Sequence, residues 1–133
     1  MKIIDIEGIG PVYAAKLEAA GIKTTEALLE AGAKPKGRED LAKATGLTHE
    51  QILDWVNRAD LYRIDGVGSE YSDLLEAAGV DSPVELAQRV PAHLAAKLAE
   101  VNAAKKLVRE VPGEKSVAGW IEQAKKLPKI VEH

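Results

Sequence analysis

Two glycine pairs, Gly8-Ile9-Gly10 and Gly66-Val67-Gly68, hold the residues whose types and spacing point most directly to chemistry. That chemistry is anion binding by main-chain amides. Glycine tolerates positive φ, so a pair lets the chain turn within two residues and leaves the outer face of the turn bare. The apolar residue between, Ile9 or Val67, can then point into a core. Pro11 follows Gly10, and proline favours the first position of a helix, where its missing N–H would be unpaired anyway. A tight turn that feeds a helix N-terminus gathers unpaired N–H donors and a partial positive charge, which together suit an anion. Gly8, Ile9, Gly10 and Val12, with Lys16 one turn along the helix, form the first candidate site. Lys2 and Lys23 are expected nearby. Gly66, Val67, Gly68 and Ser69 form the second. There Glu70, Asp73 and Glu76 would meet an arriving phosphate with carboxylates, so the first turn is the stronger candidate.

Other chemistry has little to stand on. There is no cysteine, which excludes disulfides, thiolate metal sites and cysteine nucleophiles. His49, His93 and His133 share no metal-ligand spacing, and Leu53 sits where the second histidine of a zinc-protease helix would fall. No Ser-His-Asp set and no phosphate-loop sequence can be assembled. The sequence therefore predicts no enzyme and no small-molecule substrate. Trp55 and Trp120 could stack bases, but they lie within apolar helix faces, and core packing is the expectation. Tyr13 and Tyr71 are expected as core rings with exposed hydroxyls.

The elements that position the two turns are themselves duplicated. Ile6-Glu7-Gly8-Ile9-Gly10, Tyr13, Leu17 and Ala19-Ala20-Gly21 match Ile64-Asp65-Gly66-Val67-Gly68, Tyr71, Leu75 and Ala77-Ala78-Gly79, and a match of this length marks an internal repeat. Gly21 and Gly79 suit the left-handed residue that ends a helix. Thr24, Thr48 and Ser82 sit at helix starts, the last two in capping-box patterns with Gln51 and Glu85. Ala33-Lys34-Pro35-Lys36-Gly37 is expected to be a loop by its proline and glycine, and its lysines with Arg38 make a basic cluster. Trp120-Ile121-Glu122-Gln123-Ala124 echoes Trp55-Val56-Asn57-Arg58-Ala59. Residues 51–60 are predicted as the leading helix of the second turn, and the last helix, over 117–127, as that of the first.

With its apolar-x-Gly-apolar-Gly turns, the chain resembles the helix-hairpin-helix motif. In that family the turn grips one DNA phosphate through backbone amides, sometimes with a monovalent cation on turn carbonyls. The resemblance thus implies a cation at a hairpin and no other cofactor. Through its Tyr-x-x-x-Leu-x-x-Ala-Gly and Trp-apolar-x-x-Ala-x-x-Leu patterns, nearly the whole chain is similar to the bacterial family called domain of unknown function 4332. The expected fold is all-α: two tandem helix-hairpin-helix (SAM-like) units, 1–60 and 61–133, packed as a pseudo-symmetric pair.

Composition agrees with helices. The chain has 133 residues, 46% hydrophobic and 29% charged, with no phenylalanine. Alanine and leucine abound and β-branched runs are short. No apolar run approaches a membrane span and no signal peptide opens the chain, so a cytoplasmic protein without a membrane partner is expected. Net charge is −3, which runs against a dedicated nucleic-acid binder. Residues 1–60 carry 8 basic and 10 acidic side chains and residues 61–133 carry 10 and 11, so any DNA site must be a local patch. Lys97, Lys105, Lys106, Arg109, Lys115, Lys125, Lys126 and Lys129 make the later part locally basic. Two functions follow: non-enzymatic, sequence-nonspecific contact with the DNA backbone, or an adaptor that presents a helical surface to another protein, with both turns merely structural.

Overall fold

Helix boundaries follow the capping chemistry closely. The computed structural model describes residues 1–133. A 3-10 turn, Ile3–Asp5, precedes eight helices: α1 Pro11–Ala19, α2 Thr25–Gly32, α3 Pro35–Thr45, α4 His49–Leu61, α5 Ser69–Ala77, α6 Pro83–Ala87, α7 Pro91–Lys105 and α8 Glu114–Lys126. The fold is all-helical. Its one β-bridge joins Lys2 to Thr24.

The Thr24 hydroxyl accepts the Ala27 N–H at 3.1 Å and opens α2. The Thr48 hydroxyl accepts the Gln51 N–H at 3.1 Å, while the Gln51 carboxamide accepts the Thr48 N–H at 3.0 Å. That reciprocal box satisfies two donors at the start of α4. The Ser82 hydroxyl accepts the Glu85 N–H at 3.2 Å and opens α6, while the Glu85 carboxylate accepts from Arg89 at 3.1 Å and does not close the expected box.

The expected loop around Pro35 is a helix. Pro35 stands at the first position of α3, and Gly37 lies inside that helix. Gly37 is there because α3 crosses α2 closely: a β-carbon at this position would collide with the Ala31 carbonyl oxygen. Proline and glycine here serve a helix start and a close crossing, which residue type alone reads as a break.

The chain divides into two compact units, Met1–Asp60 with Lys129–His133, and Leu61–Pro128. In the first, α1 and α2 pack on α3, and Ile3, Ile6, Ile9, Leu17, Leu28 and Trp55 are buried. In the second, α6 and α7 pack on α8 and α5 packs on α7. Leu74, Leu75, Leu86, Leu94, Leu98, Val117 and Trp120 form its core. Each such aliphatic side chain contributes roughly 1.5–3 kcal/mol by leaving water.

The final residues, which carried no signal in the sequence, close the first unit. The Glu132 N–H donates to the Ala33 carbonyl at 2.7 Å, and Val131 is buried. Arg38 reaches three carbonyls, at Gly32 (2.8 Å), Ala33 (3.2 Å) and Glu132 (2.7 Å). The expected basic surface cluster therefore loses Arg38. It is a buried clamp that satisfies the open carbonyl end of α2 and holds the tail, and burial pushes its guanidinium below its ordinary pKa.

Candidate functional site

In the first turn the Ile9 N–H donates to the Ile6 carbonyl at 3.1 Å, which closes the bend. Gly8 takes φ +88° to make it. Gly10 is extended, with φ −88° and ψ −178°, and caps α1 without any side-chain hydrogen bond. Its carbonyl accepts the first helical bond, from Ala14, at 2.9 Å. The N–H groups of Gly8, Gly10, Val12 and Tyr13 have no acceptor within the protein. Gly8, Gly10 and Val12 are exposed, and Val12 is 68% exposed. Ile9 differs from its neighbours: its side chain is buried and its N–H is taken. It shapes the site but offers no donor to it.

The second turn repeats this locally. The Val67 N–H donates to Ile64 at 3.1 Å, the Ser72 N–H to Gly68 at 2.9 Å, and Gly66 takes φ +92°. Val67, like Ile9, is buried with its N–H occupied. Gly66, Gly68 and Ser69 keep free N–H groups. Exposed Asp65 and Glu70 flank them. The Ser69 hydroxyl is sealed from solvent with no partner, so it offers nothing to an arriving ligand.

Each turn rests on a tryptophan from the end of its own unit. The Trp55 ring of α4 meets Tyr13 at 5.4 Å between centroids, and the Trp120 ring of α8 meets Tyr71 at 5.3 Å, both tilted by 51°. The indole Nε1 is the atom closest to the empty β-position of each glycine: 3.9 Å at Gly8 and 3.1 Å at Gly66. The ring that backs the first turn thus comes from α4, and the ring that backs the second from α8. Both tryptophans are core residues, 4% and 5% exposed, and the Tyr71 hydroxyl donates to the Glu110 carbonyl at 3.1 Å. Apolar periodicity locates a buried face but not what it is buried against.

Gln123 is a turn-supporting residue that the sequence did not single out. Its carboxamide accepts the Asp65 N–H at 2.8 Å and donates to the Asp65 carbonyl at 3.2 Å, which clamps the main chain just before Gly66. Its place three residues after Trp120 was the available signal.

The lysines divide into two sets. Lys36, Lys43 and Lys125 are engaged with Asp40, Glu39 and Glu122 at 2.9, 3.3 and 3.6 Å. Asp40 also raises the Lys36 pKa, mainly through the hydrogen bond. Lys2, Lys16 and Lys23 are exposed and form no ion pair. Main-chain bonds from Ile3 to Lys23 (3.1 Å) and from Thr25 to Met1 (2.9 Å) place Lys2 and Lys23 on the two segments that the bridge joins. His49 and His93 are exposed, while His133 Nε2 lies 2.9 Å from Asn57 Oδ1. No cluster of His, Asp or Glu is arranged to hold a metal ion. No helix is long and apolar enough to cross a membrane.

These features define an all-helical protein in which two glycine turns, each opening a helix, are each backed by a buried tryptophan. Residues 7–127 match the model of the family described as Domain of unknown function (DUF4332), and the chain belongs to that family. No curated protein and no solved structure matches it.

Proposed function

We propose that the protein is a non-enzymatic binder of the DNA backbone, that each unit is a helix-hairpin-helix module, and that the first turn is the principal contact. One observation carries this reading: the N–H groups of Gly8, Gly10, Val12 and Tyr13 stand at the exposed start of α1 with no acceptor inside the protein. Main-chain donors at a helix start would hold a phosphate oxygen, and the unpaired Lys2, Lys16 and Lys23 would supply the local positive charge. Such contacts position a duplex without reading its sequence. A monovalent cation on the turn carbonyls fits the same module. Gly66, Gly68 and Ser69 form a weaker second contact, because Asp65 and Glu70 stand beside them.

Fluorescence anisotropy with labelled duplex and single-stranded DNA tests it. The expected outcome is weak binding at roughly 50 mM salt, steeply weakened as salt rises. Lys16→Glu should weaken it on every sequence alike and make the salt dependence shallower. Absence of binding at tens of micromolar protein refutes the reading, since low salt favours such contacts.

The exposed carboxylates at the second turn favour a second reading, an adaptor whose helical surface meets another protein. In that case DNA binding is absent and a specific protein is retained by the native chain from its host extract.

A further inference from the structure

A recess of about 260 Å³ opens beside the second turn, lined by Gly66, Tyr71, the segment 110–113 with the Glu110 side chain at its start, Ser116 and Trp120. All of these residues belong to the second unit. Two independent features bring donors without acceptors to it. The first is the start of α8. Gly113 caps that helix without a side-chain hydrogen bond, and its carbonyl accepts from Val117 at 3.1 Å. The N–H groups of Glu114, Lys115 and Ser116 are therefore left without acceptors, in a helix of 13 residues, and of these three residues Ser116 lines the recess. The second is Trp120. Its ring is 95% buried, yet its indole N–H has no hydrogen-bond partner, and Nε1 is the part of the ring that faces Gly66 across the wall of the recess.

A buried indole usually finds an acceptor for its N–H. This one finds none in the protein, and neither do the helix amides nearby. Among the acceptors of the lining, the Glu110 carbonyl already takes the Tyr71 hydroxyl at 3.1 Å. Ser116 adds a hydroxyl, and Lys115 is exposed with no ion pair. Glu110 and Glu114 offset Arg109 and Lys115 in the surrounding charge, so the directed donors decide the preference. Donors without acceptors select a ligand rich in acceptor oxygens, and a helix N-terminus favours a negative one.

We propose that this recess binds the oxyanion group of a small ligand, a carboxylate or a phosphate, between the Trp120 indole N–H and the first amides of α8. The site is separate from the phosphate contact assigned to the first turn and does not depend on it. Its volume lies just below the usual range for drug-sized ligands, which suits a small anionic group with a short apolar part against Val111 and Pro112.

Proton–nitrogen NMR of the full chain tests this, because the Trp120 indole and the Lys115 and Ser116 amides report on the site directly. The probes are inorganic phosphate and acetate, titrated at constant ionic strength against sodium chloride. Saturable movement of these three signals is expected with at least one of the two, and which one saturates distinguishes a phosphate ligand from a carboxylate. Ser116→Glu should weaken that binding by about tenfold or more, because it brings its own carboxylate to the helix amides. Glutamate at this third helical position is a favoured residue, so the variant should keep its dispersed spectrum. The proposal is overturned if neither anion moves the Trp120 signal beyond chloride, or if folded Ser116→Glu titrates like the native chain.

Discussion

Replacing Gly66 by alanine should cost clearly more stability than the same change at Gly8, although the two glycines occupy the same place in their turns. Both have φ near +90°, at +92° and +88°, so an alanine is strained at either. A non-glycine residue held in such a conformation costs roughly 1–3 kcal/mol. The second contribution separates them. At Gly8 the new β-carbon would stand 3.9 Å from Trp55 Nε1, an ordinary contact. At Gly66 it would stand 3.1 Å from Trp120 Nε1, so the indole must give way. That ring is held against Tyr71 within a packed core, and overpacking of this kind costs roughly 1–3 kcal/mol. The expected loss is therefore about 1–3 kcal/mol for Gly8→Ala and about 2–6 kcal/mol for Gly66→Ala. Gly10→Ala and Gly68→Ala are the controls: φ is −88° and −104°, and no atom lies within 4 Å of the added carbon. They should change stability by less than about 0.5 kcal/mol. Urea denaturation followed by helical circular dichroism and by tryptophan fluorescence measures all four. Equal losses at Gly8 and Gly66, or a loss at Gly10 as large as at Gly8, would refute the account of how the tryptophans seat the turns.

Arg38→Ala removes three hydrogen bonds from a side chain that is 1% exposed; the expected loss is about 3 kcal/mol, from charge-assisted bonds and the space left behind. Deleting residues 129–133 should cost less in Arg38→Ala than in the native chain, because the clamp and tail share the bond at Glu132, and additive losses in a double-mutant cycle would contradict this. Glu26 is held below its ordinary pKa of 4.5, first by its own backbone N–H and then by the N-terminal amine, which lies 3.2 Å away. A depressed carboxylate contributes stability that is present above 4.5 and is lost as pH falls through the lower folded value. Glu26→Gln should therefore flatten a small acid-side decline in unfolding midpoint, and salt should shrink the effect because the pair is exposed.

The legible parts of this chain were those governed by neighbours in sequence. Thr24, Thr48 and Ser82 cap helices because a hydroxyl three residues before an N–H needs no tertiary partner to reach it. The two Gly-x-Gly bends were visible for the same reason: each closes through a bond spanning three residues, from Ile9 to Ile6 or from Val67 to Ile64. The parts that were not legible depend on residues distant in the chain. Arg38 looked like a surface charge until Gly32 and Glu132 converged on it. Gly37 looked like a loop residue until α2 came close enough to need its bare face.

The tryptophans show where that boundary falls for function. Each was correctly placed in a core by its apolar helix face, and that placement argued against any binding role for the ring. Burial of a ring nevertheless does not settle the fate of its one polar atom. In both units Nε1 faces the first glycine of a turn and finds no acceptor in the protein. A glycine there is required twice, once for a bend with positive φ and once to leave room for the indole edge. Only the first requirement is visible in the sequence, where each turn is a set of main-chain donors alone. With the indole included, each turn carries one side-chain donor whose direction is set by core packing and not by a flexible surface chain. A donor fixed in that way loses little entropy when an anion arrives, which makes these two indole signals the most direct reporters of whether either turn binds one.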